Sequence, residues 1–347
     1  MGIAFAGVIL LLGIALAIIC VLKMRKKTTF KEISLLSQPT HTYASNPPAV
    51  VHLPPPQPNA DSPAICERVR RTFGTSNYKR VYAGAKTATF QHYLLAAVND
   101  TLLLYAQRIN PSTDQETIIL GVTELMEKIQ DDAFKNNAAL RDDADALAEF
   151  LWTSGKKHKV VNRMQLCSVL NAVIRDDVEE EIEAAALIFR SINSRRVERG
   201  EKNAVHQSYP LNGETWRGGG FRREYRSFFQ SVKGKKYRVP GFLASSSDRR
   251  VAINFVFSAD KTHPCALWRI KFDKRGELHP EYRVKHMTLV SKTLIAGEQE
   301  YLFAPYSVFL LVSVKWSSKL DKPHEFTLHP ALDNKDEDED LPLAPWY

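Results

Sequence analysis

The N-terminal half of the chain repeats apolar residues at the spacing of one helix face. The segments with this period are 93–109, 117–129 and 138–152. A further segment, 176–193, places carboxylates in its first turns and Arg190 late, which suits the helix dipole. We therefore predict a helical subdomain over residues 64–204. We interpret the acidic start of its last helix as solvated rather than metal-binding.

The pattern changes after Tyr209, where short aromatic and aliphatic runs separated by turn signals replace the helical period. Residues 215–217 predict a short strand with Arg217 at its end, followed by a flexible glycine turn at 218–220. Further strands are predicted at 242–245, 265–272, 289–295 and 307–316, and another is predicted to open at Glu300. Helices followed by strands predict an α+β fold with a mixed β core over 205–330.

An uncharged apolar segment, 3–22, lies near the start of the sequence. A run of about 20 apolar residues crosses a hydrocarbon core as a helix, so we predict one transmembrane anchor. The basic residues that follow it are Lys23, Arg25, Lys26 and Lys27. Because positive charge stays on the cytoplasmic side, residues 1–27 predict a single-pass membrane protein with most of its chain in the cytoplasm. A cleaved signal peptide is disfavoured, since its positive charges precede the apolar run.

Two segments flank the predicted folded part. Residues 28–63 are rich in proline and lack apolar periodicity, so they predict a semi-stiff linker that spaces the folded part from the bilayer. A ligand for an SH3-type domain is the alternative. Residues 331–347 contain an acidic run at 333–340 and predict a solvated, disordered tail.

The composition narrows the classes of partner. The chain has 347 residues, 44% of them hydrophobic, and a formal net charge of +8, which allows a substantial core and favours an anionic membrane or ligand. There is no aromatic-rich RNA-binding signature, zinc-finger spacing or heptad array, so no nucleic-acid partner is expected.

The four cysteines are widely spaced at Cys20, Cys66, Cys167 and Cys265. They form no C-x-x-C motif or Cys/His cluster, which argues against a disulfide framework or a zinc site and suits a reducing compartment. We interpret these thiols as small buried hydrophobic groups.

The strongest candidate chemistry is the carboxylate pair Glu298 and Glu300, directly before Tyr-Leu-Phe. Alternate residues of an extended chain share a face, so the two lie roughly 7 Å apart at about 3.3 Å per residue. One carboxylate can then stabilise a cationic transition state while the other activates a nucleophile. A solvated loop leading into a strand is the alternative.

Two upstream motifs add possible partners for this pair. Arg217 beside three glycines can bind a diphosphate through its planar guanidinium, and Gly218 lets backbone approach a ligand closely. Ser245, Ser246 and Ser247 follow a predicted strand, where hydroxyls can hold a polar ligand. Ser247 is also predicted to cap a helix that buries three apolar residues, Val251, Ala252 and Phe255. No G-x-S-x-G elbow surrounds the serines, so a hydrolase of that type is disfavoured.

Arginine, a serine triplet and Glu-x-Glu, in that order, resemble the arginine-specific mono-ADP-ribosyltransferases over residues 205–316. Residue by residue, Arg217 matches the first-motif arginine and Ser245 the first serine of the Ser-Thr-Ser motif. Ser246 replaces the usual threonine. Glu300 matches the catalytic glutamate, and Glu298 the glutamate associated with arginine as acceptor.

The resemblance implies a split-sheet ADP-ribosyltransferase core and transfer of ADP-ribose from NAD to arginine side chains of an acceptor protein, with release of nicotinamide. The implied catalytic residues are Arg217, Ser245, Glu298 and Glu300. The implied NAD-binding residues are Arg217, Gly218, Ser245, Ser247 and Phe255. No metal is implied.

Several alternatives stay open at this point. NADP can replace NAD as the substrate. Water can replace arginine as the acceptor, which would make the protein an NAD glycohydrolase. A catalytically silent, membrane-tethered module that binds NAD or acts as an adaptor is the alternative from a different class.

Overall fold

The computed structural model describes residues 71–194, 209–258, 264–290, 299–319 and 322–345. Several predicted features lie outside these ranges and stay predictions: the membrane anchor at 3–22, the linker at 28–63, Cys20, Cys66 and Glu298. Within the described ranges, no helix is both long enough and apolar enough to cross a bilayer.

Helices fill the first part of the described chain, and two more lie among the strands. Their bounds are α1 Asn77–Gly84, α2 Gln91–Ile109, α3 Gln115–Asn136, α4 Ala144–Trp152, α5 Leu166–Asp176, α6 Glu179–Ile192, α7 Tyr225–Ser231 and α8 Arg249–Ser258. Side-chain hydrogen bonds cap the N-terminal ends of several of these helices. The Asp114 carboxylate accepts a hydrogen bond from the Thr117 amide at 2.8 Å, at the start of α3.

The segment predicted as one helix at 138–152 divides in two. A 3₁₀ turn, Ala138–Arg141, precedes α4, and the Asp143 carboxylate accepts from the Ala146 amide at 2.9 Å. An aspartate that caps a new helix cannot also continue the preceding one, which explains the break.

Asp177 and Glu181 of the acidic segment are buried, so its interpretation as a solvated helix start was wrong for these two residues, whereas Glu180 and Glu183 are exposed. Asp177 has a left-handed backbone, φ 56°, and its carboxylate accepts from the amides of Asn77 and Tyr78 at 2.9 and 3.0 Å. Glu181 is 2% exposed and accepts from Arg108 at 3.0 Å. The carboxylates therefore bind α6 to α1 and α2, and the helix predicted from 176 starts at Glu179.

Within the part of the chain that the structure describes, eight strands form one sheet in the order β2-β7-β8-β4-β1-β3-β6-β5. They are β1 Glu214–Gly220, β2 Lys236–Val239, β3 Leu243–Ser246, β4 Cys265–Lys271, β5 Met287–Leu289, β6 Glu300–Phe303, β7 Ser307–Lys315 and β8 His324–Pro330. β4 pairs with β8 in parallel and the other neighbouring pairs are antiparallel. This mixed sheet with helices confirms the α+β class, although β2 and β8 were not predicted.

The sheet separates two hydrophobic cores. Leu302 of β6 belongs to the core built by the helices, whereas its neighbours Tyr301 and Phe303 belong to a core beneath the sheet. Adjacent residues of a strand face opposite sides, so the helical layer covers one face of the sheet here. Phe242 joins the helical core, with its ring 5.0 Å from that of Trp152 and 6.0 Å from that of Phe189.

The acidic segment predicted as a disordered tail packs on the sheet edge as far as Ala344, so that prediction was wrong for this part. We call residues 334–344 the C-terminal strap. Its backbone pairs with edge strand β2: the Arg238 amide donates to Pro342 at 2.9 Å, and the Ala344 amide donates to Arg238 at 2.8 Å.

The acidic strap docks on this edge because Arg238 of β2 binds its backbone carbonyl oxygens. Arg238 is fully buried and donates to the carbonyls of Tyr306, Glu337 and Asp338 at 2.9–3.1 Å. Its guanidinium also lies 4.6 Å from the centre of the Phe73 ring. The carboxylates of the strap instead reach lysines at the surface, in the pairs Lys236–Glu337 and Lys79–Glu339.

Candidate active site

A cavity of about 820 Å³ lies between the helical layer and the sheet. Residues from α4 and α5 line one side, and residues from β1, β3, β6 and α8 line the other. Arg217, Ser245 and Glu300 all line this one cavity. The three motifs, spread over more than 80 positions of the sequence, therefore meet as the sequence predicted.

Arg217 lies within β1 rather than at its end, because the glycines predicted as a turn continue the strand and pair with 265–267 of β4. Its guanidinium donates to the Ala244 carbonyl at 2.9 Å, which fixes the side chain against β3. Burial lowers the pKa of Arg217 from its ordinary value, and the Glu300 carboxylate opposes that shift. The result is a desolvated cation at the wall of the cavity.

Gly218 lines the cavity, and it must be a glycine because α8 packs directly against it. A Cβ at this position would lie 1.8 Å from the Ala252 carbonyl oxygen and 2.9 Å from Val256. Glycine therefore allows α8 to pack directly on β1. This packing places the face of α8 that contains Val251 and Phe255 along the cavity.

Ser245 joins three neighbouring strands. Its hydroxyl oxygen lies 2.9 Å from the Thr215 hydroxyl of β1 and 3.3 Å from the Tyr301 carbonyl of β6. The residue is 5% exposed and lies beside Tyr301 in the antiparallel register of β3 and β6. Its hydroxyl therefore fixes the strands that support Arg217 and Glu300.

Ser247 does not line the cavity, and its predicted capping role was wrong. The Ser247 hydroxyl donates to the side-chain oxygen of Gln299, and the Ser247 amide donates to the Gln299 carbonyl at 3.2 Å. Asp248 supplies the cap instead, since its carboxylate accepts from the Arg250 amide at 2.8 Å. Ser247 thus connects the end of β3 to the residue before Glu300.

Phe255 was predicted to be buried by its helix, yet 51% of it is exposed. Its neighbour on the helix, Ala252, is buried against the sheet. Phe255 lines the cavity and adds an aromatic side chain to its wall.

Glu300 is the first residue of β6, as the sequence predicted, and lies opposite Ser246 of β3. Its carboxylate oxygen Oε1 accepts a hydrogen bond from the indole nitrogen of Trp152 at 3.1 Å. Glu298, two positions earlier, lies outside the described residues. The position of Glu300 at the start of β6 and its hydrogen bond from Trp152 together fix the place of the carboxylate in the cavity.

Sequence reasoning missed the part of the site that the helical layer contributes. Its cavity-lining residues include Trp152, Gln165, Cys167, Ser168, Asn171 and Arg175. Asn171 also accepts from the Phe242 amide at 2.8 Å, which fixes the start of β3. Contacts between residues this far apart in sequence leave no local motif, so no spacing signal was available to predict them.

A thiol lies beside the charged residues. Burial raises the pKa of Cys167, and the negative charge of Glu300 contributes to the rise. This cysteine was interpreted as a buried hydrophobic group, but it is only partly buried and lines the cavity. Its raised pKa keeps the thiol protonated near neutral pH.

Two further guanidinium groups flank the cavity wall. Arg249 of α8 and Arg269 of β4 each lie 5.3 Å from the ring centre of Trp216, which lines the cavity. Arg269 also forms an ion pair with Glu214. Arg249 therefore adds positive charge beside Trp216, whereas Glu214 compensates the charge of Arg269.

No protein-family model matches the chain, and no curated protein matches its sequence. Solved structures of similar fold include the Vis toxin, an ADP-ribosyltransferase from Vibrio splendidus, with 15% identity, TM-score 0.36, and coverage of 63% of this chain and 87% of that one. The ADP-ribosyltransferase HopU1 of Pseudomonas syringae pv. tomato DC3000 has 15% identity, TM-score 0.40, and coverages of 60% and 87%. The type III effector XopAI from Xanthomonas axonopodis pv. citri has 12% identity, TM-score 0.42, and coverages of 78% and 93%. At these identities and TM-scores, the likenesses transfer no activity to this chain.

Proposed function

We propose that this protein transfers ADP-ribose from NAD to arginine side chains of acceptor proteins and releases nicotinamide. The observation that supports this most is the meeting of Arg217, Ser245 and Glu300 at one cavity. The volume of about 820 Å³ lies within the range of ligand pockets in proteins, about 300–1,000 Å³.

Charge and surface favour an anionic, aromatic ligand such as a dinucleotide. Arg217 provides a partly buried guanidinium whose planar donors suit a diphosphate. Arg249 adds positive charge beside Trp216. The exposed ring of Phe255 offers a stacking surface for a nicotinamide or adenine ring.

The proposed transfer breaks the bond between ribose C1′ and the nicotinamide nitrogen, and the bonding electron pair leaves with neutral nicotinamide. Positive charge develops on the ribose, where the Glu300 carboxylate stabilises it more strongly than in the ground state. A guanidine nitrogen of the acceptor then bonds to C1′ and loses a proton. We assign acceptance of that proton to Glu298, because a guanidinium is otherwise always charged and a poor nucleophile.

The decisive experiment measures nicotinamide release and labelling of an arginine-rich acceptor with isotopically labelled NAD. Glu300→Gln keeps the size of the side chain and removes its charge, so we expect both products to fall at least about a hundredfold. Glu298→Gln should retain NAD hydrolysis and lose arginine labelling.

Glu325→Gln is the matched control, because Glu325 lies on the exposed side of β8 and does not line the cavity. It should leave both products unchanged. Full activity of Glu300→Gln would contradict the proposal. If free ADP-ribose forms and no acceptor is labelled, the protein is an NAD glycohydrolase rather than a transferase. If it binds NAD without turnover, it is a catalytically silent NAD-binding module.

A further inference from the structure

Trp152 makes a contact with the candidate site that the proposed chemistry does not use. It is the last residue of α4, is 5% exposed, and lines the cavity. Its indole nitrogen donates to Oε1 of Glu300 at 3.1 Å, although the two residues are 148 positions apart in sequence. The helical layer thus reaches the carboxylate that begins β6.

The indole is fixed by the structure around it. Its ring packs on Phe242 at a centroid distance of 5.0 Å, and Phe242 in turn packs on Phe189 of α6. The helix that ends at Trp152 has its start fixed by the Asp143 cap. A buried ring with packed neighbours loses little additional freedom when it donates a hydrogen bond, so its N–H is well suited to orient a partner.

The chemistry of the donor also matters. An indole N–H can only donate and does not titrate, so it favours the carboxylate form of Glu300 without adding charge. Among the described residues, the charged and titratable groups coupled to this carboxylate include Arg217 of β1 and the thiol of Cys167 on α5. Arg217 provides a positive charge near the Glu300 carboxylate, whereas the indole N–H of Trp152 orients that carboxylate.

We propose that Trp152 is a positioning residue that orients the Glu300 carboxylate, so that the helical layer completes the active site. This inference rests on the proposed function. Trp152 acts through Glu300, and the hydrogen bond fixes one carboxylate oxygen relative to the cavity.

The first test is Trp152→Phe, which keeps an aromatic ring against Phe242 and removes the donor. A hydrogen bond to a charged group orients and stabilises it, so we expect kcat to fall about tenfold and KM for NAD to change less than about twofold. The acid limb of the kcat profile should move to higher pH, because the lost bond favoured the charged form.

Trp316→Phe is the matched control, since Trp316 packs on Phe221 and His324 in the other core and does not line the cavity. It should leave kcat, KM and the pH profile unchanged. A Trp152→Phe enzyme with unchanged kcat and pH profile would overturn the inference. A raised KM with unchanged kcat would also overturn it, because that result assigns Trp152 to binding alone.

A second measurement does not depend on catalysis. The indole N–H resonance of Trp152, identified by its loss in Trp152→Phe, should shift as pH falls and Glu300 takes up a proton. Glu300→Gln should abolish that shift. If the wild-type protein transfers no ADP-ribose, the proposed function fails, but this titration still shows whether Trp152 contacts Glu300. If the pH dependence of the Trp152 resonance is the same in Glu300→Gln as in the wild type, the positioning role is overturned.

Discussion

At position 218, a single added methyl group would collide with the backbone of the neighbouring helix. The Cβ of an alanine would lie 1.8 Å from the Ala252 carbonyl oxygen, and neither backbone segment can move like a flexible side chain. We predict that Gly218→Ala lowers the free energy of unfolding by at least about 2 kcal/mol, because overpacking forces α8 away from β1. Urea denaturation measures this change.

Gly220 provides the control for that substitution. It belongs to the same strand, and an added Cβ would meet no atom within 4 Å. Gly220→Ala should leave the free energy of unfolding unchanged or raise it by up to about 1 kcal/mol, since alanine lowers the entropy of the unfolded chain. If both variants lose the same free energy of unfolding, the cause is the replacement of glycine in a strand rather than close packing against α8.

The Cys167 thiol should react slowly. Its pKa is raised by burial and by Glu300, so the reactive thiolate is scarce at neutral pH and forms only at higher pH. We predict slow alkylation by iodoacetamide at pH 7, faster alkylation as the pH rises, and protection by NAD, because Cys167 lines the cavity. Mass spectrometry of the labelled peptides measures each site separately.

Cys265 is the internal reference for NAD protection. Its thiol donates to the Val256 carbonyl at 3.2 Å, and it does not line the cavity. NAD should therefore leave its alkylation rate unchanged. Equal protection of both thiols would indicate a global change in the protein, and no protection of Cys167 would place the nucleotide elsewhere.

Among the elements, the C-terminal strap depends most on one side chain. Arg238 is fully buried, and Arg238→Met would remove the donors to four carbonyl groups, those of Tyr306, Asn334, Glu337 and Asp338. We predict that this change lowers the free energy of unfolding by about 3 kcal/mol, because the buried carbonyls lose their partners. Amide hydrogen exchange in 334–344 should also become faster.

Arg80→Met is the control for this prediction. Arg80 forms an exposed ion pair with Glu179, and such pairs contribute at most about 1 kcal/mol. The control should leave exchange in the strap unchanged. If Arg238→Met also leaves it unchanged, the backbone pairing with β2 alone is sufficient to hold the strap.

The success of sequence reasoning varied with how local each signal was. The start of β6 at Glu300 follows from a carboxylate directly before strand-forming residues. β8 has a regular alternation of buried and less buried residues, a period-two signal that was available but not used. β2 also alternates polar and apolar residues, as Lys-Tyr-Arg-Val, but that pattern predicts an exposed Arg238, whereas Arg238 is fully buried.

At the scale of the whole molecule, the sequence predicted that three motifs share one site, and the cavity brings those residues together. It did not predict that helices α4 and α5 form the other wall. That wall depends on contacts such as Trp152 to Glu300 and Asn171 to Phe242, whose partners are 148 and 71 positions apart. Only the packing of the helical layer on the sheet sets such contacts, and a linear pattern does not record it.

The order of synthesis gives the strap a further consequence. Residues 334–344 leave the ribosome after every element they contact, including α1, β2 and the segment that contains Tyr306. Until then, the β2 edge lacks its closing partner, and the cationic head of Arg238 lacks most of the oxygens that surround it later. Until the strap has emerged, a nascent chain therefore exposes the β2 edge, and an unpaired sheet edge favours association with other chains.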